Sequence, residues 1–274
     1  MWGATFVVIH DALREVAPLA LVAMRFSLAA LVAVPFALRE RAQAGPAELL
    51  RKGAAVGVWL FVGYALQTVG LLDVAPARAA FLTGMYVVLV PPIQVFLYGR
   101  KTGPTTLAGV ALAAVGLALL TGVHLGGATR GDLLMIGCAA AFAVQIVLVG
   151  THAERCGPMR LATVEIAVVA ALAWPAALAR EGVPGVPSPR AALAIAACAV
   201  VATVLALAVQ NWAQRSVPPA RAAVLLSLEP VFAAAMSYAW TGERFAPVQA
   251  VGAALILLGM LAAEVPAIRR AVVD

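Results

Sequence analysis

Three charged side chains stand inside long apolar runs: Arg25 within Pro18–Leu38, Glu165 within Leu161–Ala179, and Glu229 in the stretch that follows Arg221. A charge held in hydrocarbon is costly enough to be a functional candidate by default. Glu229 is the most pointed case, because Pro230 follows it directly. Proline removes a backbone donor and opens a helix locally. A carboxylate beside freed carbonyls could bind a substrate ammonium or carry a coupling proton; its structural alternative is a protonated Glu bridging two helices. Arg25 offers the planar fork that suits a substrate carboxylate, or else it bonds helix carbonyls. Arg25 and Glu165 could pair, or each could face a central cavity.

The elements that must hold these groups follow from composition. The 274 residues are 64% hydrophobic and 12% charged, with a mean hydropathy of +0.98. A soluble domain would carry about a quarter charged residues, so the natural solvent for this chain is lipid. Apolar runs between charged or Gly/Pro-rich breakers predict ten helical segments. They lie near 1–12 (short), 18–38, 53–73, 76–98, 105–122, 131–150, 161–179, 191–211, 219–241 and 245–263. Backbone groups in hydrocarbon must be satisfied within the segment, which selects helices. A β-barrel would need alternating segments of about ten residues, and these unbroken Ala/Leu/Val runs lack that alternation.

The chain also repeats itself. Pro76-Ala77-Arg78-Ala79-Ala80 recurs as Pro219-Ala220-Arg221-Ala222-Ala223, 143 residues later. The same offset maps Gln67 onto Gln210, Tyr86 onto Glu229, Pro104 onto Pro247, Gly109 onto Gly252 and Gly116 onto Gly259. Earlier in each half an offset of 140 maps Pro18 onto Pro158, Arg25 onto Glu165 and Pro35 onto Pro175. Five segments per half is an odd number, so the second copy must enter from the opposite side and the repeat is inverted. With the N-terminus inside, twelve basic residues fall in cytoplasmic loops and six on the other side, which favours both termini in the cytoplasm. Segment 1 is too short to span, and Gly131–Ala141 has almost no counterpart in the first half. About ten residues are therefore expected to be missing from its front, as a late start codon would produce. No cleavable signal peptide is expected either, since no basic n-region or A-x-A site is present.

Neutral polar groups complete the candidate set. Tyr86 should face Glu229 across the pseudo-twofold, and Gln67 should face Gln210. Tyr64, Gln94, Gln145, Asn211 and Ser227 add hydrogen-bonding capacity. Bonds between such groups across helices are commonly glue, worth about 1 kcal/mol each. Trp59 and Tyr64 lie far enough inside to be cavity walls, whereas Trp212, Tyr238 and Trp240 read as interface anchors. Pro91-Pro92 and Pro230 would kink their segments and are candidate gating elements. Pro91 and Pro230 are not repeat mates, so the two halves could bend differently. Gly109/Gly116 and Gly252/Gly259 put two notches on one face of the fifth and tenth segments, a seam within the fold or a dimer contact.

Several functions are excluded or disfavoured. Cys138, Cys156 and Cys198 show no CxxC spacing, and the three histidines form no HExxH pair, so no disulfide framework, metal site or other cofactor is expected. The scattered arginines lack the clustering and interleaved aromatics of a nucleic-acid binder. No GxxxxGK[ST] motif is present, which excludes ATP-driven transport by this chain alone. A membrane-embedded enzyme would need a converging nucleophile and base; it remains the alternative reading, with a purely structural membrane protein. A channel would need a filter or charged ring.

The motifs resemble those of EamA-type transporters of the drug/metabolite transporter superfamily. The residues that carry the resemblance are Trp2-Gly3-Ala4-Thr5-Phe6, Arg25-Phe26, the run from Phe81-Leu82-Thr83-Gly84-Met85-Tyr86 to Pro91, Glu229-Pro230, and Gly242-Glu243 followed by Gly252 and Gly259. It covers essentially the whole chain in two copies, departing in the clipped first segment and in Gly99-Arg100-Lys101, where an acidic residue is usual. It implies a ten-helix carrier of small metabolites or amino acids, often exporting, that works by alternating access. The reading is thus an all-α integral membrane protein of two inverted five-helix repeats, 1–122 and 131–264, with a short cytoplasmic tail at 265–274. It belongs in a bacterial inner membrane. Its partners are a small-molecule substrate and the bilayer, with a homodimer left open. Segments 3, 4, 8 and 9, with 1 and 6, would surround a midplane cavity, with Arg25, Tyr64, Gln67, Tyr86, Glu165, Gln210, Asn211 and Glu229 as its substrate or coupling residues: Glu229 as proton or cation site and Arg25 as a substrate-anion or gating contact.

Overall fold

A computed structural model of the chain describes residues 5–74, 76–121, 129–229, 231 and 246–273, and among them there are helices and turns but no strand. Prolines set where most helices begin. α2 (Pro18–Arg39), α3 (Pro46–Gly70), α4 (Pro76–Gly84), α6 (Pro104–Thr121), α8 (Pro158–Arg180), α9 (Pro189–Ala199), α11 (Pro219–Leu226) and α12 (Pro247–Val273) each open on one. At that position the missing N–H costs nothing, because it would have no intrahelical partner. The remaining helices are α1 (Thr5–Ala12), α5 (Tyr86–Tyr98), α7 (Arg130–Cys156) and α10 (Ala206–Ala213), the last reached from α9 through a π-turn at Val200–Leu205.

Several helices outrun the apolar segments that announce them. α3 begins seven residues before the expected 53 because its first two turns are polar: Glu48 pairs with Lys52 at 2.5 Å and with Arg155 at 3.5 Å. α7 likewise runs to Cys156 rather than 150, carrying Arg155 to that cluster. The stretch set apart as a tail, 265–274, is helical as far as Val273. Six spans among the described residues are long and apolar enough to cross a membrane: 18–39, 46–70, 78–98, 130–156, 158–180 and 189–213. Two shorter apolar helices, Pro104–Leu120 and Pro247–Ala263, accompany them. The outer surface carries large apolar side chains such as Leu31, Leu38 and Phe96 at 73%, 81% and 89% exposure. In water such a surface would aggregate; in lipid it is solvated.

Two helix pairs form the frame. α6 and α12 cross antiparallel with their backbones in contact at the four glycines. A Cβ on Gly109 would lie 2.5 Å from the Gly259 carbonyl oxygen, and one on Gly116 would lie 2.6 Å from that of Gly252. The notches therefore form a seam within the fold. α2 and α8 pack in the same antiparallel manner, and each caps the other. The Glu181 carboxylate, at the end of α8, accepts from the Leu19 and Ala20 amides at the start of α2, both at 2.9 Å. Glu40, at the end of α2, accepts from the Arg160 amide at the start of α8 at 2.8 Å. α3 lies between α8 and α7, with Gly53 and Gly57 receiving Val164 and Val168, and Gly63 receiving Phe142. At the far end of α7, Thr129 and Asp132 form a capping box, and Arg78 grips Asp132 with two bonds of 2.6 and 2.9 Å.

Candidate functional site

The segment expected as one helix over 76–98 is interrupted, and so is its counterpart. α4 ends at Gly84, and Met85 bonds only three residues back, its amide to the Leu82 carbonyl at 3.3 Å. A bulkier residue than Gly84 would meet Leu117 of α6, since a Cβ there would lie 2.5 Å from Leu117 Cδ2. In the second half α11 ends at Leu226, and the Leu228 amide bonds the Leu225 carbonyl at 3.2 Å. Ser227 closes that turn by donating its hydroxyl to the Val224 carbonyl at 2.6 Å. The two breaks, at Met85 and at Ser227-Leu228, fall at matching places, directly before Tyr86 and Glu229.

A cavity of about 70 Å³ opens between these breaks. Its polar lining is Tyr64 and Gln67 of α3, Thr83 and Tyr86 at the first break, Gln145 of α7, Gln210 of α10, and Glu229. Phe142, Leu60, Ile146, Leu207 and Leu226 supply the apolar walls. An apolar cavity that admits benzene measures ~150 Å³, so the present shape accommodates a small head group. One carboxylate oxygen of Glu229, Oε1, is buried without a hydrogen-bond partner. Such an atom is costly unless something binds it.

A chain of amides runs from the cavity wall to Glu165. Asn211 Nδ2 donates to Glu165 Oε1 at 2.8 Å, and Gln145 Nε2 donates to Oε2 at 3.3 Å. The Gln145 carbonyl then accepts from Gln210 Nε2 at 3.1 Å, which also donates to Gln214 Oε1 at 3.0 Å. Glu165 is completely buried, and by accepting from both neighbours it fixes how each amide turns.

Arg25 sits elsewhere. Its Nε donates to Thr203 Oγ1 at 2.7 Å and its Nη2 to the Ala202 carbonyl at 3.1 Å, both on the π-turn. Thr203 in turn donates to the Cys198 carbonyl at 3.0 Å. The guanidinium lies 4.9 Å from the Tyr64 ring centre, and Tyr64 meets Phe142 edge-on at 5.3 Å.

Of the residues expected at the site, Tyr64, Gln67, Tyr86, Gln210 and Glu229 line the cavity together. Asn211 stands one step back, against Glu165. Arg25 and Glu165 neither pair with each other nor line this cavity: Arg25 is bonded across to the second half, whereas Glu165 is held by Asn211 and Gln145 of its own half. Arg25 takes the carbonyl-binding alternative, because the π-turn supplies both a hydroxyl and a carbonyl within reach of its fork. Trp59 is 41% exposed on the outer face and is no cavity wall. Pro91 and Pro92 lie inside α5, whose helix continues past them to Tyr98; the interruption is at Met85 instead. The two halves therefore break at the same place. Pro230 lies outside the described residues. Sequence reasoning passed over Thr83 and Phe142 as cavity residues, Thr203 as the anchor of Arg25, and Asp132, whose Thr-x-x-Asp capping pattern could have disclosed it.

The model of the EamA-like transporter family matches residues 1–122 and again 129–263. An uncharacterized transporter of Archaeoglobus fulgidus is 34% identical over 95% of this chain and 81% of its own length. The chain belongs to the EamA-like transporter family. The uncharacterized inner membrane transporter YedA of Escherichia coli K12 is 24% identical over 95% of this chain and 86% of the relative. A protein of Salmonella typhimurium named as a probable amino-acid metabolite efflux pump is 26% identical over 95% and 90%. A solved crystal structure at 20% identity superimposes with a TM-score of 0.78 over 97% of this chain and 96% of the other, a likeness of fold alone. The relatives are named as transporters and efflux pumps, so this EamA-like chain is a membrane transport protein for small molecules and not an enzyme.

Proposed function

We propose that this EamA-like protein is a secondary carrier that exports small metabolites across the inner membrane by alternating access, with the cavity at Glu229 as its substrate site. The observation that carries this is the unpartnered Glu229 oxygen in a cavity formed where the two halves break their helices at matching positions. Interrupted helices at the junction of two repeats are where secondary carriers hold substrate and coupling ions. Glu229 would bind the coupling proton or a substrate cation, and Arg25 would hold Tyr64 and the π-turn in place rather than meet substrate directly.

The paired contacts support a ten-helix inverted arrangement. Gly109 meets Gly259 as Gly116 meets Gly252, and Glu40 meets α8 as Glu181 meets α2. Each is the contact a twofold axis lying across antiparallel helices would generate. The excess of basic residues around the α2–α3 and α7–α8 turns supports placing that end, and with it both termini, in the cytoplasm. Metabolite export is the activity for which the Salmonella relative is named.

The test is solute-elicited proton flux in proteoliposomes, with a panel of amino acids and hydrophobic cations and with Glu229→Gln. Flux that one solute class evokes and the variant abolishes is the expected result. Wild-type rate and unchanged pH dependence in Glu229→Gln would overturn the proton role, and exchange of labelled solute without proton movement would leave an uncoupled exchanger.

A further inference from the structure

We infer that the cavity selects a cationic amine with a small apolar body, in preference to a zwitterionic amino acid or an anion. The inference rests on the cavity being the carrier's substrate site. Among its described lining residues none is Lys, Arg or His, and Glu229 is the one carboxylic acid. Arg25, which lies against Tyr64, is committed to Thr203 and the Ala202 carbonyl, and Glu229 Oε1 is left without a hydrogen-bond partner.

The amides present the same polarity. Both N–H bonds of the Gln210 amide are used, on Gln145 and Gln214, so what it offers the cavity is its carbonyl oxygen. Gln145 directs its nitrogen to Glu165 and its oxygen to Gln210. Gln67 donates to Thr83 Oγ1 at 3.4 Å, which again leaves a carbonyl oxygen. Thr83 directs its own hydroxyl toward sulfur, 3.7 Å from Met135 Sδ. The two tyrosine hydroxyls and the second amide hydrogens of Gln67 and Gln145 are the donors left uncommitted, and none of the described lining residues is a cation that would neutralise a carboxylate. An ammonium group has three donors and a charge, which match Glu229 Oε1 and the carbonyls of Gln67 and Gln210. The faces of Tyr64, Tyr86 and Phe142 suit a cation as well as an apolar chain.

A matched series separates the classes. Isobutylamine, valine and isovalerate share one branched body and differ in bearing an amine, both groups, or a carboxylate alone. Calorimetric binding to the detergent-purified protein should give isobutylamine at least 10-fold tighter than valine, with isovalerate undetected. Glu229→Gln should weaken isobutylamine at least 10-fold at unchanged unfolding temperature, and Glu229→Asp should keep the order of preference. Valine or isovalerate bound as tightly as the amine, no amine binding, or amine binding indifferent to Glu229→Gln would each overturn the inference. Proton flux on the same preparation, elicited by isobutylguanidinium (which keeps N–H donors and a fixed charge and does not cross lipid unaided) or by valine, judges the carrier separately. Flux with valine alone keeps the carrier and overturns the amine preference; Glu229-dependent amine binding without flux from either solute keeps the site and overturns the carrier.

Discussion

Glu40 and Glu181 exchange duties across the α2–α8 pair: each ends its own helix and caps the start of the other. A helix N-terminus carries unsatisfied amides and partial positive charge, which a carboxylate answers on both counts. Glu181→Ala should destabilise by ~1–2 kcal/mol, the range for losing an N-cap, and Glu40→Ala by somewhat less, since it loses one bond rather than two. The sites lie at opposite ends of a pair of helices about 30 Å long, so the double variant should show the sum. Unfolding in detergent followed by circular dichroism measures this; a double variant no worse than either single would refute independent caps.

The α6–α12 seam predicts a position-specific intolerance of a single methyl. Gly116→Ala sets a Cβ 2.6 Å from the Gly252 carbonyl oxygen and 2.8 Å from the Ile256 amide, so the helices must separate. Overpacking of this kind costs ~1–3 kcal/mol. Gly103→Ala, which meets nothing within 4 Å, should be neutral. The same unfolding measurement compares them, and equal stability of the two variants would show that the seam can open at no cost.

Asp132 holds two jobs, as capping residue for α7 and as partner of Arg78. Its side chain is 3% exposed and that of Arg78 27%, so stranding the two partners is not equivalent. Asp132→Ala removes the cap and the pair together and should cost ~2–4 kcal/mol. Asp132→Asn keeps an acceptor for the cap and should cost less. If Asp132→Asn and Asp132→Ala unfold together, the cap contributes nothing.

Arg25 is a positioning residue by geometry, and Lys cannot imitate it. An ammonium cannot bridge Thr203 and the Ala202 carbonyl in the planar manner of the guanidinium, nor stack on Tyr64 as well. Arg25→Lys should therefore lower the maximal proton flux about 10-fold while changing substrate affinity less than 3-fold, an effect of ~1.4 kcal/mol on the rate. Loss of affinity with unchanged maximal flux would instead put Arg25 in contact with substrate.

The repeat, the helical class and five of the cavity residues could be read from letters because polar residues in an apolar chain are few and their spacing is visible. What escaped the reading is what hydropathy does not encode. Helices begin on prolines amid charged residues such as Glu48 and Lys52, which an apolar-run reading assigns to loops. The break at Gly84-Met85 sits in an unbroken apolar stretch, and Pro91-Pro92 draws attention away from it. The π-turn at Val200–Leu205 has no compositional marker at all; its only trace is the Thr203 that Arg25 seeks. Glu40 and Glu181 look like loop charges until the antiparallel packing of α2 and α8 brings each to the other's first turn.

The π-turn has no counterpart in α3, the repeat mate of α9–α10, which is α-helical from Pro46 to Gly70. Arg25 has no basic counterpart either, since Glu165 stands at its matching position. For a carrier that works by exchanging the conformations of two halves, identical halves would make the inward-open and outward-open forms equal in free energy. A contact between the halves that has no symmetric counterpart lifts that degeneracy, and every 1.4 kcal/mol by which it favours one form shifts the ratio of the two tenfold. On the alternating-access reading proposed above, the Arg25–π-turn contact would give the molecule a resting side of the membrane, set by its own internal asymmetry before any gradient acts on it.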